Sequence, residues 1–254
     1  MLIDPVILEL GPLQIRWYGL VYVFGMLLVY RSLKKNKAKL GMESRHIDDF
    51  LLYLMLGMLI GARLFHFLFS DPRIFISDPL ELVRIWHGGM SFFGGLAGAC
   101  LGSYLFTRKH KVSFLALGDT IVIPVAFTLA IGRIANFIND ELVGTITSVP
   151  WCVNFPEISG CRHPYPLYAS LSHFALAGIL LFLHKKRKLK TGMLFLSFLF
   201  LYGLFRFTTD FWRDDPRMFG LTVWQALSMV LMAGSGIVLY MNRETLRFSH
   251  AKRK

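Results

Sequence analysis

The chain is 254 residues long, 54% apolar and 15% aromatic but only 17% charged, with a mean hydropathy of +0.50. A soluble domain carries about a quarter charged residues, so the composition excludes an ordinary soluble enzyme and points to a multi-pass membrane protein. The net charge of +12 argues for no nucleic-acid partner, because the lysines and arginines fall in short clusters between apolar runs, as in cytoplasmic loops beside anionic lipid.

The first residues carry Asp4 and Glu9 and no basic run, so they do not read as a cleavable signal peptide. The expected fold is an all-α polytopic membrane protein with about seven spans, at 17–30, 50–69, 90–107, 121–139, 165–183, 192–211 and 221–240. The first is short for a span of about 20 residues; Arg16 and Arg31 at its ends can snorkel to the interface. The second contains Arg63. The third is rich in small residues, among them Gly94, Gly95, Gly98 and Gly102, which favour close helix contact. The fourth runs into a polar stretch, 132–144. The sixth contains Arg206 and Asp210, and the seventh carries no charge. No composition break separates a second domain, so residues 1–254 read as a single integral membrane domain.

The basic residues orient the chain. Segments 31–46, 108–111, 185–190 and 243–254 hold 19 of the 28 lysines and arginines. By the positive-inside rule these segments are cytoplasmic, the N-terminus is outside and the C-terminus is in the cytoplasm. Arg63, Arg133 and Arg206 then lie late in outward-running spans, toward the outer leaflet. Tyr18, the run His87-Gly88-Gly89-Met90-Ser91 and Tyr168 open the inward-running spans at the same depth.

Ionisable residues inside a membrane are candidates for function. Arg133, Asn136 and Asp140 share one face if the fourth helix continues through them; a helix that ends at the water boundary with a polar cap would use the same residue types. Arg206 and Asp210 are spaced i, i+4, as in an ion pair along one helix. The guanidinium fork suits a phosphate, and a lipid phosphate is the ligand at this depth, although arginines also lock helices through ion pairs alone. The pairs Gly88-Gly89 and Gly94-Gly95 do not follow a strand, which excludes a nucleotide-binding loop; for Gly94 and Gly95 helix packing is the expected role. His163-Pro164-Tyr165-Pro166 reads as an extended lead-in to the fifth span, and His163 can be a plain surface histidine. Three cysteines are too few for a disulfide scaffold, and no Cys/His spacing resembles a metal site; no metal or cofactor is expected. Cys100 reads as a small buried residue. Cys152 and Cys161 share an outside loop, where their separation permits a disulfide; free thiols fit as well.

Several of these pieces together resemble the prolipoprotein diacylglyceryl transferase family. They are Trp17-Tyr18-Gly19, Gly88-Gly89-Met90-Ser91-Phe92 with Gly94-Gly95, Gly132-Arg133 through Asn136-Phe137-Ile138-Asn139 to Glu141 and Gly144, Arg162-His163-Pro164 with Leu167-Tyr168, and Tyr202-Gly203 with Phe205-Arg206. The likeness runs from about residue 4 to residue 240, and its most specific block is Asn136-Phe137-Ile138-Asn139. It implies a plasma-membrane enzyme with its site toward the outer leaflet, which moves a diacylglyceryl group from phosphatidylglycerol to the lipobox cysteine thiol of a preprolipoprotein. A thioether forms and glycerol 1-phosphate leaves. The resemblance further implies catalytic parts for Arg133, Arg206, Glu141, Asp210 and His87, and substrate-binding parts for Tyr18, Arg63, Asn136, Asn139, Gly144, His163 and Tyr168.

The chain departs from the family pattern at three positions. Phe93 stands where a histidine proposed as general base is usual, His87 where an acid is usual, and Asp210 where a glutamate is usual. The implied base is therefore open, with His87 the nearest replacement. Phe93 also makes thinkable a non-catalytic phospholipid-binding or transport protein that reuses the fold, although a transporter would more often show broken helices at mid-membrane or repeats.

Overall fold

The computed structural model describes residues 6–10, 13–69, 77–84, 89–156, 158–186 and 189–242. Among them are seven long α-helices: α1 (Trp17–Asn36), α2 (Ser44–Phe69), α3 (Phe92–His110), α4 (Phe114–Ile138), α5 (Tyr165–Lys186), α6 (Met193–Thr209) and α7 (Val223–Met241). Three two-stranded antiparallel ribbons accompany them: β1 (Val6–Leu10) with β2 (Leu13–Arg16), β3 (Val153–Asn154) with β4 (Cys161–Arg162), and β5 (Arg217–Met218) with β6 (Leu221–Thr222). Several helices overrun the expected spans. α2 begins at Ser44 instead of residue 50, and α4 at Phe114 instead of 121. Apolar residues mark the hydrocarbon slab, whereas helical hydrogen bonding propagates cooperatively into the polar flanks.

The protein is an all-helical, multi-pass membrane protein. Five helices, α2, α4, α5, α6 and α7, are long and apolar enough among the described residues to cross a membrane. The apolar content of α1 is diluted by its aromatics and terminal cations, and that of α3 by glycines. Large apolar side chains face outward along the helices, for example Leu56, Ile60, Leu171, Val230 and Ile237, which in water would be an aggregation surface and in lipid is a solvated one. Cys100 is exposed on α3, not buried as expected. Its place in an apolar run says that it meets an apolar medium, and in a membrane that medium is lipid as readily as core.

The chain folds into two compact units. The first contains Met1–Val29 and Gly118–Lys254. Its core is Val122 and Ala126 of α4, Leu176, Ala177 and Leu180 of α5, and Leu194 of α6, with Phe127, Phe198, Tyr202 and Phe205 packed around them. Polar side chains tie these helices where hydrocarbon offers no partner. Ser170 Oγ donates to the Ala130 carbonyl at 2.8 Å. The Asp119 carboxylate of α4 accepts from the backbone N–H groups of Gly192 (2.6 Å) and Phe195 (2.7 Å), capping the start of α6 from a neighbouring helix.

The second unit is Tyr30–Leu117, built on the pair α2 and α3. The small residues of α3 act as expected for most positions. A Cβ at Gly98 would lie 1.9 Å from the Gly57 carbonyl oxygen, and one at Gly94 2.1 Å from that of Gly61; only glycine lets the two backbones come this close. Gly95 stands off the contact, its nearest neighbour 3.7 Å away.

Candidate active site

The end of α4 sets the geometry of the polar stretch 132–144. The helix stops at Ile138, and the Glu141 N–H donates to the Asn136 carbonyl at 2.9 Å while the Asp140 N–H donates to that of Phe137 at 3.2 Å. This is a Schellman closure with Asp140 in the left-handed position, φ 56°, a conformation that aspartate tolerates better than most residues. Asp140 therefore leaves the helical face that Arg133 and Asn136 share, and the expected three-residue stripe is shortened to two.

The reversal carries the Glu141 side chain back along the helix. Glu141 Oε2 accepts from Asn136 Nδ2 at 2.7 Å, and Oε1 from Asn139 Nδ2 at 3.2 Å. Because the carboxylate claims the amide nitrogen, the Asn136 oxygen is left for Arg133, whose NH1 donates to it at 3.3 Å. The carboxylate thus orients the asparagine, and the asparagine orients the arginine. Asn136 is buried, whereas Arg133 is half-buried. Among the described residues Arg133 forms no ion pair and makes that single hydrogen bond, so most of its five donors face away from protein acceptors. Asn139 Oδ1 is buried without a hydrogen-bond partner among the described residues.

A second arginine lies in the same unit. Arg206 of α6 is 8% exposed and donates to the Tyr165 hydroxyl at 2.7 Å. It approaches Asp210 Oδ1 at 3.3 Å in the expected i, i+4 pairing and lies over the Trp224 ring at 5.8 Å. Asp210 is fully buried and accepts a short hydrogen bond from Thr222 Oγ1. Thr222 and Gln225 in turn form the capping box that opens α7. The carboxylate is fixed by a helix start as well as by its cation. Nearby, Asp215 pairs with Arg213 at 3.0 Å, and burial lifts its carboxyl above the usual carboxylate range against the pull of Arg213.

The loop between α4 and α5 closes over this end of the unit. Gly144 N donates to the His163 carbonyl at 3.2 Å, and Arg162 NH1 donates to the Gly144 carbonyl at 3.1 Å and to Asp214 Oδ2 at 2.6 Å. A Cβ at Gly144 would meet the His163 carbonyl at 2.4 Å and that of Trp212 at 2.8 Å, so the glycine is required by three backbones meeting. The Tyr168 hydroxyl accepts from Trp151 Nε1 at 2.7 Å and lies 3.2 Å from His163 Nδ1. His163 is therefore tied into a ring cluster and is not a plain surface histidine. Cys152 and Cys161 form a disulfide, with Cα atoms 5.5 Å apart. Tyr18, in the first turn of α1, is half-buried and stacks edge-on against Tyr22.

Arg63 belongs to the second unit. It is 3% exposed, and its fork donates to three carbonyls: Leu82 (3.2 Å), Gly89 (3.1 Å) and Arg84 (3.0 Å). It straps the segment before α3 onto α2. His87 lies outside the described residues, and of Phe93 only its place in the first turn of α3 is described.

Sequence reasoning missed Tyr165, Trp151 and Thr222. Tyr165 stood in a quoted motif, but only the prolines around it were used. Thr222 and Gln225 have the spacing of a capping box just before an apolar run, a signal available in the sequence.

An integral membrane protein whose first unit carries Arg133 and Arg206 within its helices, Arg133 making a single hydrogen bond among the described residues and held in place by an asparagine–carboxylate relay, defines a class: membrane proteins equipped to hold an anion at the end of a helix bundle. Over residues 5–241 the chain matches the prolipoprotein diacylglyceryl transferase family. It is 39% identical over 247 residues to the phosphatidylglycerol–prolipoprotein diacylglyceryl transferase of Chromohalobacter salexigens, covering 93% of this chain and 91% of that one. The protein of the same name from Bordetella parapertussis is 38% identical over 262 residues, covering 96% and 98%, and that from Coxiella burnetii 41% identical over 254 residues, covering 94% and 95%. The chain belongs to the prolipoprotein diacylglyceryl transferase family.

Proposed function

We propose, from membership of this family across residues 5–241, that the protein transfers the diacylglyceryl group of phosphatidylglycerol to the lipobox cysteine thiol of a preprolipoprotein. The sulfur displaces the phosphate at the glycerol carbon, a thioether forms, and glycerol 1-phosphate leaves. The observation that ties this chemistry to the site is the open guanidinium of Arg133. It holds the lipid phosphate and, with Arg206, takes up the charge that grows on it as the bond breaks. Glu141 and Asn136 aim Arg133, and Asp210 holds Arg206. Asn139 Oδ1, buried and lacking a donor among the described residues, accepts from a hydroxyl of the glycerol headgroup. Tyr18, His163 and Tyr168 line the headgroup region, and Gly144 lets the covering loop close; to Arg63 we assign a substrate-binding part and to His87 a proton-transfer part.

We also propose that α1 and α3 span the membrane with the other five, giving seven spans in one integral domain of the plasma membrane. The N-terminus is outside, the C-terminus is cytoplasmic, and the site faces the outer leaflet. The basic clusters support this orientation, as does a disulfide in the loop between α4 and α5, since such bonds persist in oxidising compartments. The test is transfer from phosphatidylglycerol to a lipobox peptide in vesicles. The protein is expected to be active, and Arg133→Ala to abolish the activity. An inactive parent that binds the lipid would instead make it a phospholipid-binding protein. In the same assay His87→Ala is expected to lose more activity than Phe93→His changes; equal rates for both variants and the parent would remove His87 from the mechanism.

A further inference from the structure

Arg133 and Arg206 stand on different helices, so a phosphate held by both needs those helices kept in register. Among the described residues α6 packs closely on α5 and α7 and only sparsely on α4. Asp119 ties the starts of α4 and α6 together. The arginines lie toward the opposite ends, where the tie has to come from the loops.

Segment 143–147, which follows Glu141, runs between two partners. It bridges at Ile146 to Arg162 of β4, and at Gly144 to Arg213 in the segment after Asp210. On the first side the His163 N–H donates to the Thr145 carbonyl at 3.0 Å. On the other the Thr145 N–H donates to the Trp212 carbonyl at 2.9 Å, and the Asp214 N–H to that of Val143 at 3.2 Å. One side chain crosses both joins. Arg162 is 8% exposed, and its Nε donates to the Ser159 carbonyl of its own loop at 3.2 Å. Its NH1 donates to the Gly144 carbonyl of the middle segment and to the Asp214 carboxylate of the far one. The disulfide from Cys161 to Cys152 anchors the residue before it. The planar guanidinium can hold these acceptors at once from a fixed base.

We propose that Arg162 is a positioning residue for the transfer, an assignment that rests on the transferase reading: by clamping segment 143–147 to Asp214, it holds Arg133 and Arg206 at the separation the departing phosphate requires. Arg162 acts through those two arginines and not on the substrate. Its effect falls on turnover more than on binding. The lipid phosphodiester carries one negative charge, which a single guanidinium can hold. A second charge grows only as the C–O bond breaks, toward a monoester whose second ionisation lies at about pH 6. Both guanidiniums are needed at that moment, and a misplacement of about 1 Å costs about 10²-fold in rate.

The test measures transfer to a lipobox peptide in vesicles of varied phosphatidylglycerol content. Arg162→Gln is expected to lower kcat about 10- to 100-fold with the KM for lipid little changed. The loss is expected to shrink when Glu141→Gln is already present, because an arginine no longer aimed has less to lose from being shifted. Parental kcat in Arg162→Gln would overturn the proposal, as would a raised KM with kcat kept. Losses that simply multiply in the double variant would overturn it too, since independent structural damage behaves that way. Asp214→Ala guards against misfolding: it truncates a half-exposed side chain and leaves Arg162 on Gly144. It is expected to keep the parent's melting temperature and lose kcat several-fold, again at an unchanged KM; a folded Asp214→Ala with parental kcat overturns the proposal equally. A parent inactive on the peptide defeats the transferase reading and this proposal with it, whereas the outcomes above, in an active parent, defeat the positioning role alone.

Discussion

The relay Glu141–Asn136–Arg133 shows how a site can depend on a residue that never meets the ligand. A carboxylate acceptor is what turns the Asn136 amide so that its oxygen meets the guanidinium. Glu141→Gln can present its own N–H₂ to Asn136 and let the amide flip, which sets a donor against a donor. A charge-assisted hydrogen bond contributes about 1.5–3 kcal/mol, so kcat/KM is expected to fall about 10- to 100-fold, read as turnover on the lipobox peptide; a change of less than twofold would mean that Arg133 needs no aiming. At this scale the sequence was informative about residue types but not directions. Arg133, Asn136 and Glu141 stand out as polar residues after an apolar run. That Asp140 turns away, and Glu141 back, follows from a left-handed residue that no periodicity announces.

Among the elements, the α2–α3 pair was the most legible, since a run of small residues in a membrane span has few uses besides close packing. The sequence could not say which glycines make contact, because that depends on the rotation of each helix. The two classes are distinguishable. Gly98→Ala drives a methyl into the Gly57 carbonyl, and overpacking of this kind costs about 1–3 kcal/mol. Gly95→Ala meets only ordinary van der Waals distance. Thermal unfolding in detergent is expected to show a clear drop for the first and no more than a small change for the second; equal melting temperatures would mean that the two helices do not touch through Gly98. Element ends were the least legible part. α4 extends seven residues before its expected start, and Asp119 within that extension is satisfied by backbone N–H groups of α6.

For the whole molecule, composition sufficed for the class, because 17% charged residues cannot cover a soluble surface of this size. Family membership was legible from scattered blocks, since Asn136-Phe137-Ile138-Asn139 and its companions keep their order over nearly the full chain. The topology makes a prediction at this scale. In intact cells or right-side-out vesicles, a membrane-impermeant maleimide is expected to leave Cys152 and Cys161 unlabelled until an impermeant reductant is added, and to label both afterwards. Labelling without reductant would refute the disulfide, and protection after reduction would place the loop on the cytoplasmic side.

The close approach of Gly57 to Gly98 and of Gly61 to Gly94 also limits how the sequence can change over time. When two side chains meet, a larger residue on one helix can be accommodated by a smaller one on the other. Here each partner is already glycine, and what an added methyl would strike is a carbonyl oxygen of the main chain. No second-site substitution can trim that atom. A revertant of Gly98→Ala should therefore restore the glycine or move the helices apart along their whole length, and suppressors confined to positions 57 and 61 should not be found.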